Sequence, residues 1–352
     1  MGNELTHEMT MTDFTPLDVD EMVMAYKQSK SRVILFDYGG SLLEKEALGK
    51  YLKRNMASVS GRKLNKATYD AVVKLCEDES NTVFIVSGLN DKGLMHAVGE
   101  VPGLGLAANN GLAFSWPSKK GLERSWEVFD YGVNWEEVKE VALPLLQKFT
   151  AHTNGSSIKM RDSGLAWSYY STDPEWGQMQ AKQLLAELEV ALAAYDVKVQ
   201  HLRGSLEVVP KRLHKGVVVS TILKNQRERT GHYPDFVFCV GDDASDEAMF
   251  AAVYSFLAQA DDQTGPGVED ELGKIRLYTC MVGPKPTHAS YYVNEVSEVE
   301  AVVAKMAGTD ELSQQSADGL GMVIPGHVAG REGEAQPVEE RRDGGILHTL
   351  GG

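Results

Sequence analysis

The chain has 352 residues, 43% hydrophobic and 24% charged, values of a folded globular protein that exclude a disordered chain, a coiled coil or a collagen-like repeat. Its 50 acidic against 35 basic residues give a formal charge of −15, a field that repels phosphate backbones, so nucleic acid is not an expected partner. No apolar run approaches the ~18 residues of a membrane span, so no membrane is expected either.

The first residues, MGNELTHEMTMTDFTP, carry neither a secretory nor an organelle-targeting pattern, and residues 1–16 are expected to be flexible. Helical spacing follows at 20–27. The apolar run VILF (33–36) reads as a buried strand, residues 67–76 as a helix, and VFIV (83–86) and LGLA (104–107) as further strands. From about residue 110 to 210 the grammar changes. Two long helical patterns, 135–150 and 175–195, alternate with the polar strand-like pieces SSIKMR, LAWSYYS, VKVQHL and SLEVVP, as in an α+β lobe with an antiparallel sheet. The earlier grammar resumes with a helix at 215–229, the strand FVFCV (236–240), a helix at 246–253 and the strand LYTCMV (277–282). Strands alternating with helices imply an α/β fold with a Rossmann-like parallel sheet covered on both faces. The expected layout is a core over 17–110 and 211–306, interrupted by an inserted α+β cap over 111–210. Residues 307–352 hold ten glycines and little apolar mass, and are expected to form a disordered tail. The three cysteines, Cys76, Cys239 and Cys280, are widely spaced in apolar segments, which points to buried thiols in a reducing compartment, the cytoplasm.

Four segments carry chemistry. Asp37 follows the first buried strand directly, and in an open parallel sheet ligands bind beyond the carboxyl ends of the strands. Gly39 and Gly40 let the backbone approach a ligand, though an aspartate here is also a common turn or cap residue. Ser87 follows the second strand, and Lys215 opens a helix where an ammonium can meet a phosphate oxygen. Gly241, Asp242, Asp243, Asp246 and Glu247 follow the strand at 236–240. So many carboxylates in one turn suit Mg²⁺, which prefers oxygen ligands, or alternatively cap the next helix.

In that order these segments resemble the haloacid dehalogenase (HAD) superfamily of phosphatases. The stretches SKSRVILFDYGGSLL, LGLAANNGLAF, LEVVPKRLHKGVVV, YPDFVFCVGDDASDEAMF and YTCMVGPKPTHASYYV narrow the likeness to the trehalose-6-phosphate phosphatase family. The likeness is closest to the phosphatase-type domain at the carboxyl end of trehalose-6-phosphate synthase proteins. The resemblance implies an HAD core with an inserted cap. It implies Asp37 as nucleophile, and Ser87 and Lys215 as ligands of the transferring phosphoryl group. It implies Mg²⁺ held by Asp37, the Gly39 carbonyl and Asp242, with Asp243 and Asp246 completing or supporting the site. Arg161 and Glu207 of the cap match sugar-facing positions. The implied ligand is trehalose-6-phosphate or a related sugar phosphate, and a trehalose-6-phosphate synthase domain or subunit is the expected partner, since relatives carry a glycosyltransferase domain ahead of this region.

The pattern breaks at one decisive place. The family reads Asp-any-Asp-Gly after the strand, whereas this chain reads Asp37-Tyr38-Gly39-Gly40. The second carboxylate, which protonates the leaving sugar oxygen and later activates water, is Gly39. Other departures accompany it: Leu89 for an arginine, Asn109 and Asn110 where Glu-His is common, Lys159 for a glutamate, and Ser168 for a histidine. The expectation is a phosphatase-like domain with lost or weak turnover and a regulatory or structural role. The alternatives are an active Mg-dependent trehalose-6-phosphate phosphatase, or a phosphatase of another sugar phosphate.

Overall fold

The computed structural model describes residues 15–45, 62–118, 123–161, 164–202, 204–262 and 275–310. A nine-stranded sheet forms its centre. In chain order its strands are β1 (Thr15–Pro16), β2 (Arg32–Asp37), β3 (Asn81–Val86), β4 (Leu104–Ala108), β5 (Ala113–Ser115), β6 (Glu127–Val128), β11 (Phe236–Gly241), β12 (Arg276–Val282) and β13 (Tyr291–Val293). They lie in the order β1-β13-β12-β11-β2-β3-β4-β5-β6, parallel from β1 to β4 and antiparallel from β4 to β6.

The central strands are buried along their whole length, which explains why they read as unbroken apolar runs. Within β2, alternate residues serve opposite layers. Ile34 and Phe36 pack with α1 (Val19–Gln28), α2 (Lys66–Glu77), α3 (Asp91–Val98) and α8 (Val296–Ala307). Val33 and Leu35 pack with α6 (Lys215–Thr230) and α7 (Glu247–Asp262). The first three helices start on side-chain caps: Asp18, Asn65 and Asn90 accept the main-chain N–H of Glu21, Thr68 and Gly93.

A second, four-stranded antiparallel sheet is inserted between β6 and α6. Its order is β7-β8-β10-β9, from β7 (Ser157–Arg161), β8 (Gly164–Ser168), β9 (Val197–Leu202) and β10 (Ser205–Pro210). One face packs on α4 (Trp135–His152) and α5 (Pro174–Ala191), with Trp167, Leu206, Val138 and Leu184 in its core. The opposite face carries Lys159, Ala166, Glu207 and Gln200 in one row across the strands.

Two expected boundaries move. The cap expected from residue 111 contains β5 and β6, which belong to the central sheet: after β4 the chain doubles back in a hairpin too short to show a period, and the insertion starts beyond Val128. The flexible start expected to reach residue 16 is shortened too, because Thr15 and Pro16 pair with Tyr291 and Tyr292 as an edge strand. The rest of that segment, 1–14, and most of the expected tail, 311–352, lie outside the described residues.

Candidate active site

The carboxyl ends of β2, β3 and β11 meet the start of α6. Asp37 is the last residue of β2 and stands opposite Val86, so Ser87 begins the adjacent loop. Lys215 is the first residue of α6. Asp37, Lys215 and Asp246 are 4%, 3% and 0% exposed, so their charges must be settled among themselves. The Lys215 ammonium donates to Asp37 Oδ1 at 2.6 Å and to Asp246 Oδ1 at 2.7 Å. The other Asp246 oxygen accepts the main-chain N–H groups of Asp242 and Asp243 at 2.8 and 3.0 Å. Both oxygens of Asp246 are therefore spent on bracing the acidic loop against Lys215.

Asp37 Oδ2 and Asp242 Oδ1 are different: both are buried and have no protein partner. Asp37, Asp242 and Asp246 each offer a carboxylate oxygen within 4.8 Å of the others. Unpaired buried carboxylate oxygens are costly, and a divalent cation that prefers oxygen ligands satisfies them. The donor set suits Mg²⁺: Asp37 and Asp242 each have an unpaired oxygen to offer, whereas both oxygens of Asp246 are engaged. Asp243 points elsewhere: its Oδ2 accepts Lys45 at 2.8 Å and its Oδ1 accepts the Ser245 hydroxyl at 2.7 Å.

Ionisation follows these contacts. Burial pushes the Asp37 carboxyl up to about 7 against the pull of Lys215, with Asp246 adding to the rise. Burial also raises Asp242, although Lys45 hydrogen-bonds it at 2.6 Å. Burial works on Asp243 too, but the Lys45 and Ser245 hydrogen bonds outweigh it and hold this carboxyl well below the usual range. For Lys215 burial is overcome by the two aspartates, which hold its ammonium above the ordinary lysine value.

The two glycines of the first loop have separate causes. Gly40 has φ +105°, and a Cβ there would lie 2.3 Å from Asp242 Cγ, so close approach of the two loops demands glycine. At Gly39 a Cβ would meet nothing within 4 Å. A side chain is absent there without any packing reason.

Ser87 is buried, and its Oγ accepts the N–H of Leu89 at 3.1 Å. Glu207 lines a cleft between the two sheets together with Gly88, Asn109, Asn110 and Gln200, and the cleft encloses about 20 Å³. Arg161 ends β7 with its Cα opposite Gly164, and its side chain lies outside the described part. Two lysines were not legible in advance. Lys45 spans Asp242 and Asp243, and Lys285 donates to the Asp242 carbonyl at 2.6 Å. Only Lys285 left a trace, as part of the GPKPTHAS stretch after β12.

A parallel sheet whose carboxyl edge gathers a strand-end aspartate, a serine, a helix-start lysine and an acidic loop, with a cap inserted beside it, is the haloacid dehalogenase-type phosphatase fold. The sequence profile described as Trehalose-phosphatase matches residues 53–297, and the chain belongs to that family. The matched stretch begins after the Asp37 loop. Among relatives, the chain is 32% identical over 306 residues to a probable alpha,alpha-trehalose-phosphate synthase 7 (UDP-forming) of Arabidopsis thaliana, covering 86% of this chain and 32% of the relative. It is 30% identical over 342 residues to a trehalose-phosphatase of Zygosaccharomyces rouxii, covering 92% and 36%. The chain thus spans about a third of the length of these relatives. Among solved structures it resembles the C-terminal domain of a C. albicans trehalose-6-phosphate phosphatase, with a TM-score of 0.65, 26% identity and coverage of 84% of this chain and 98% of that one. Among the described residues, no helix is long and apolar enough to cross a membrane.

Proposed function

We propose that this domain binds a sugar phosphate, with trehalose-6-phosphate the first choice, together with Mg²⁺, and turns it over weakly or not at all. Its role in trehalose biosynthesis is then regulatory or structural. The Asp37 carboxylate is the nucleophile: one of its oxygens attacks phosphorus and the P–O bond to the sugar breaks. Lys215 and Ser87 hold the phosphoryl oxygens, and Lys215 also offsets charge on Asp37. Asp37, Asp242 and the Gly39 carbonyl would hold Mg²⁺, which when bound would neutralise charge on the phosphoryl group. The departing sugar oxygen carries the bonding pair and needs a proton. A carboxyl at position 39 would deliver it, and Gly39 has none.

The observation that carries this reading is the open space at Gly39 combined with the engagement of Asp243 and Asp246. Asp243 is held ionised by Lys45 and Ser245, so it is a poor proton donor near neutral pH. Asp246 has both oxygens committed. Loss of general acid–base catalysis removes about 10²–10⁴-fold in rate. The retained clamp also favours a second reading, slow turnover with water as the acid or with a sugar phosphate of better leaving group. The free cysteines, Cys239 and Cys280 buried and Cys76 half-buried, support a reducing compartment, the cytoplasm. The greater length of the relatives supports a synthase domain or subunit as partner.

The test is Mg²⁺-dependent phosphate release from trehalose-6-phosphate by the chain and by Gly39→Asp, with binding followed by calorimetry. The expected result is binding without appreciable turnover, and a gain of about 10²-fold or more in the variant. Robust turnover by the unmodified chain overturns the reading.

A further inference from the structure

Between β4 and β5 three consecutive residues have positive φ: Asn109 at 50°, Asn110 at 57° and Gly111 at 90°. A Cβ makes this region unfavourable, least so for asparagine, and glycine occupies it freely. Gly111 has a packing reason as well, since a Cβ there would sit 2.9 Å from the Val218 side chain. At 109 and 110 glycine would meet the backbone demand with less strain, yet amide side chains stand at both. Strain retained at such a place points to use of the side chain.

The backbone of the turn is already employed. Asn109 N–H donates to the Leu89 carbonyl at 2.7 Å and Asn110 N–H to the Ser87 carbonyl at 2.9 Å, so the turn fixes the loop that presents Ser87. The Asn110 side chain lies over Gly88, where a built Cβ would be 3.3 Å from its Oδ1. Its amide faces the cleft also lined by Gln200 and Glu207. Among the described residues Asn110 makes no side-chain hydrogen bond, although its amide has two donors and an acceptor. Among the described residues that line the cleft, Glu207 is the one charged side chain. That chemistry suits neutral hydroxyls, which both give and accept hydrogen bonds, and disfavours a second phosphate or carboxylate.

We infer that Asn110 is a specificity-determining contact for the neutral, hydroxyl-bearing part of a phosphorylated ligand whose phosphoryl group sits at Ser87 and Lys215. This rests on the function proposed above.

The experiment compares the full chain with Asn110→Gly, which preserves the backbone conformation. Inorganic phosphate and trehalose-6-phosphate are titrated separately in Mg²⁺ by calorimetry, and Tm is recorded. The expected result is an unchanged or raised Tm, unchanged phosphate affinity, and trehalose-6-phosphate affinity weakened about tenfold, the scale of a lost hydrogen bond. If the variant binds both ligands as the parent does, the amide serves only the turn and the inference fails. If both weaken equally, Asn110 acts through the Ser87 loop and the specificity assignment fails. If the unmodified chain binds phosphate but prefers the sugar phosphate no more strongly, the inference alone fails. If it binds neither, the proposed function falls and this inference with it.

Discussion

Lys215 is one buried cation between two aspartates, with a third aspartate braced beside them, and this imbalance governs how the site responds to protons and metal. Asp37 has its carboxyl raised to about 7 from an ordinary 3.8. A carboxyl raised by folding favours the folded state fully below its unfolded value, and that contribution is lost as pH rises through 7. Mg²⁺ binds the ionised form and competes with this proton. The Mg²⁺-induced rise in Tm, a few degrees at saturating metal, is therefore expected to grow from pH 6 to pH 8, and Asp37→Asn is expected to shrink and flatten it. Scanning calorimetry at three pH values checks this, and an increment independent of pH would contradict it. The residues that matter here were partly legible. Asp37, Ser87 and Lys215 each sit at a junction of strand, loop and helix that apolar periodicity locates. The separate duties of Asp242, Asp243 and Asp246 were not, because acids so close in sequence look alike until the loop's turn buries Asp242 and Asp246 and leaves Asp243 exposed. Lys45 is more distant still: it reaches Asp242 across 197 positions of sequence through a long side chain that no local pattern constrains.

Helix α3 shows an element held by a residue from a different part of the chain. It ends at Gly99, close to the start of β4. The guanidinium of Arg124 donates to the carbonyls of Gly99, Val101 and Leu104 at 3.2, 3.0 and 2.7 Å. Three carbonyls at a helix end and a strand start are thus served by one planar fork. Arg124→Ala is expected to cost about 2–3 kcal/mol, the scale of charged hydrogen bonds lost at a part-buried site. Arg124→Lys should recover only a fraction, since an ammonium cannot reproduce three directed donors. Denaturant unfolding of both variants measures this, and equal stability of Lys and Arg would refute the fork as the cause. The same region marks where periodicity stopped being informative. The long helices α4, α5 and α6 bury regular stripes or faces and announce themselves, whereas α3 has eight residues and β5 and β6 have three and two. Elements that short owe their existence to neighbours supplied by the fold.

At the scale of the molecule, the apolar groups fall into separate bodies. Two layers sandwich the nine-stranded sheet, and a third cluster, centred on Trp167, lies between the inserted four-stranded sheet and α4 and α5. All three cysteines belong to the central part. Cys239 and Cys280 are buried in β11 and β12, and burial pushes the Cys76 and Cys280 thiols up to about 12 and Cys239 well above its ordinary value. A thiol reacts as thiolate, so at pH 8 these groups report opening of the central sheet and little else. Trp167 is fully buried, donates its indole N–H to Thr150 and packs against Phe149 and Tyr169. Trp167→Ala should cost the inserted sheet about 3–5 kcal/mol through the lost contacts and the cavity left behind. Because the clusters share no side chain, local opening need not spread from one to the other. On heating the variant, aromatic circular dichroism is expected to fall several degrees before thiol alkylation accelerates, whereas in the unmodified chain the two signals should lie closer together. Coincident loss of both signals in the variant would mean that the segments crossing between the sheets couple them into one cooperative unit.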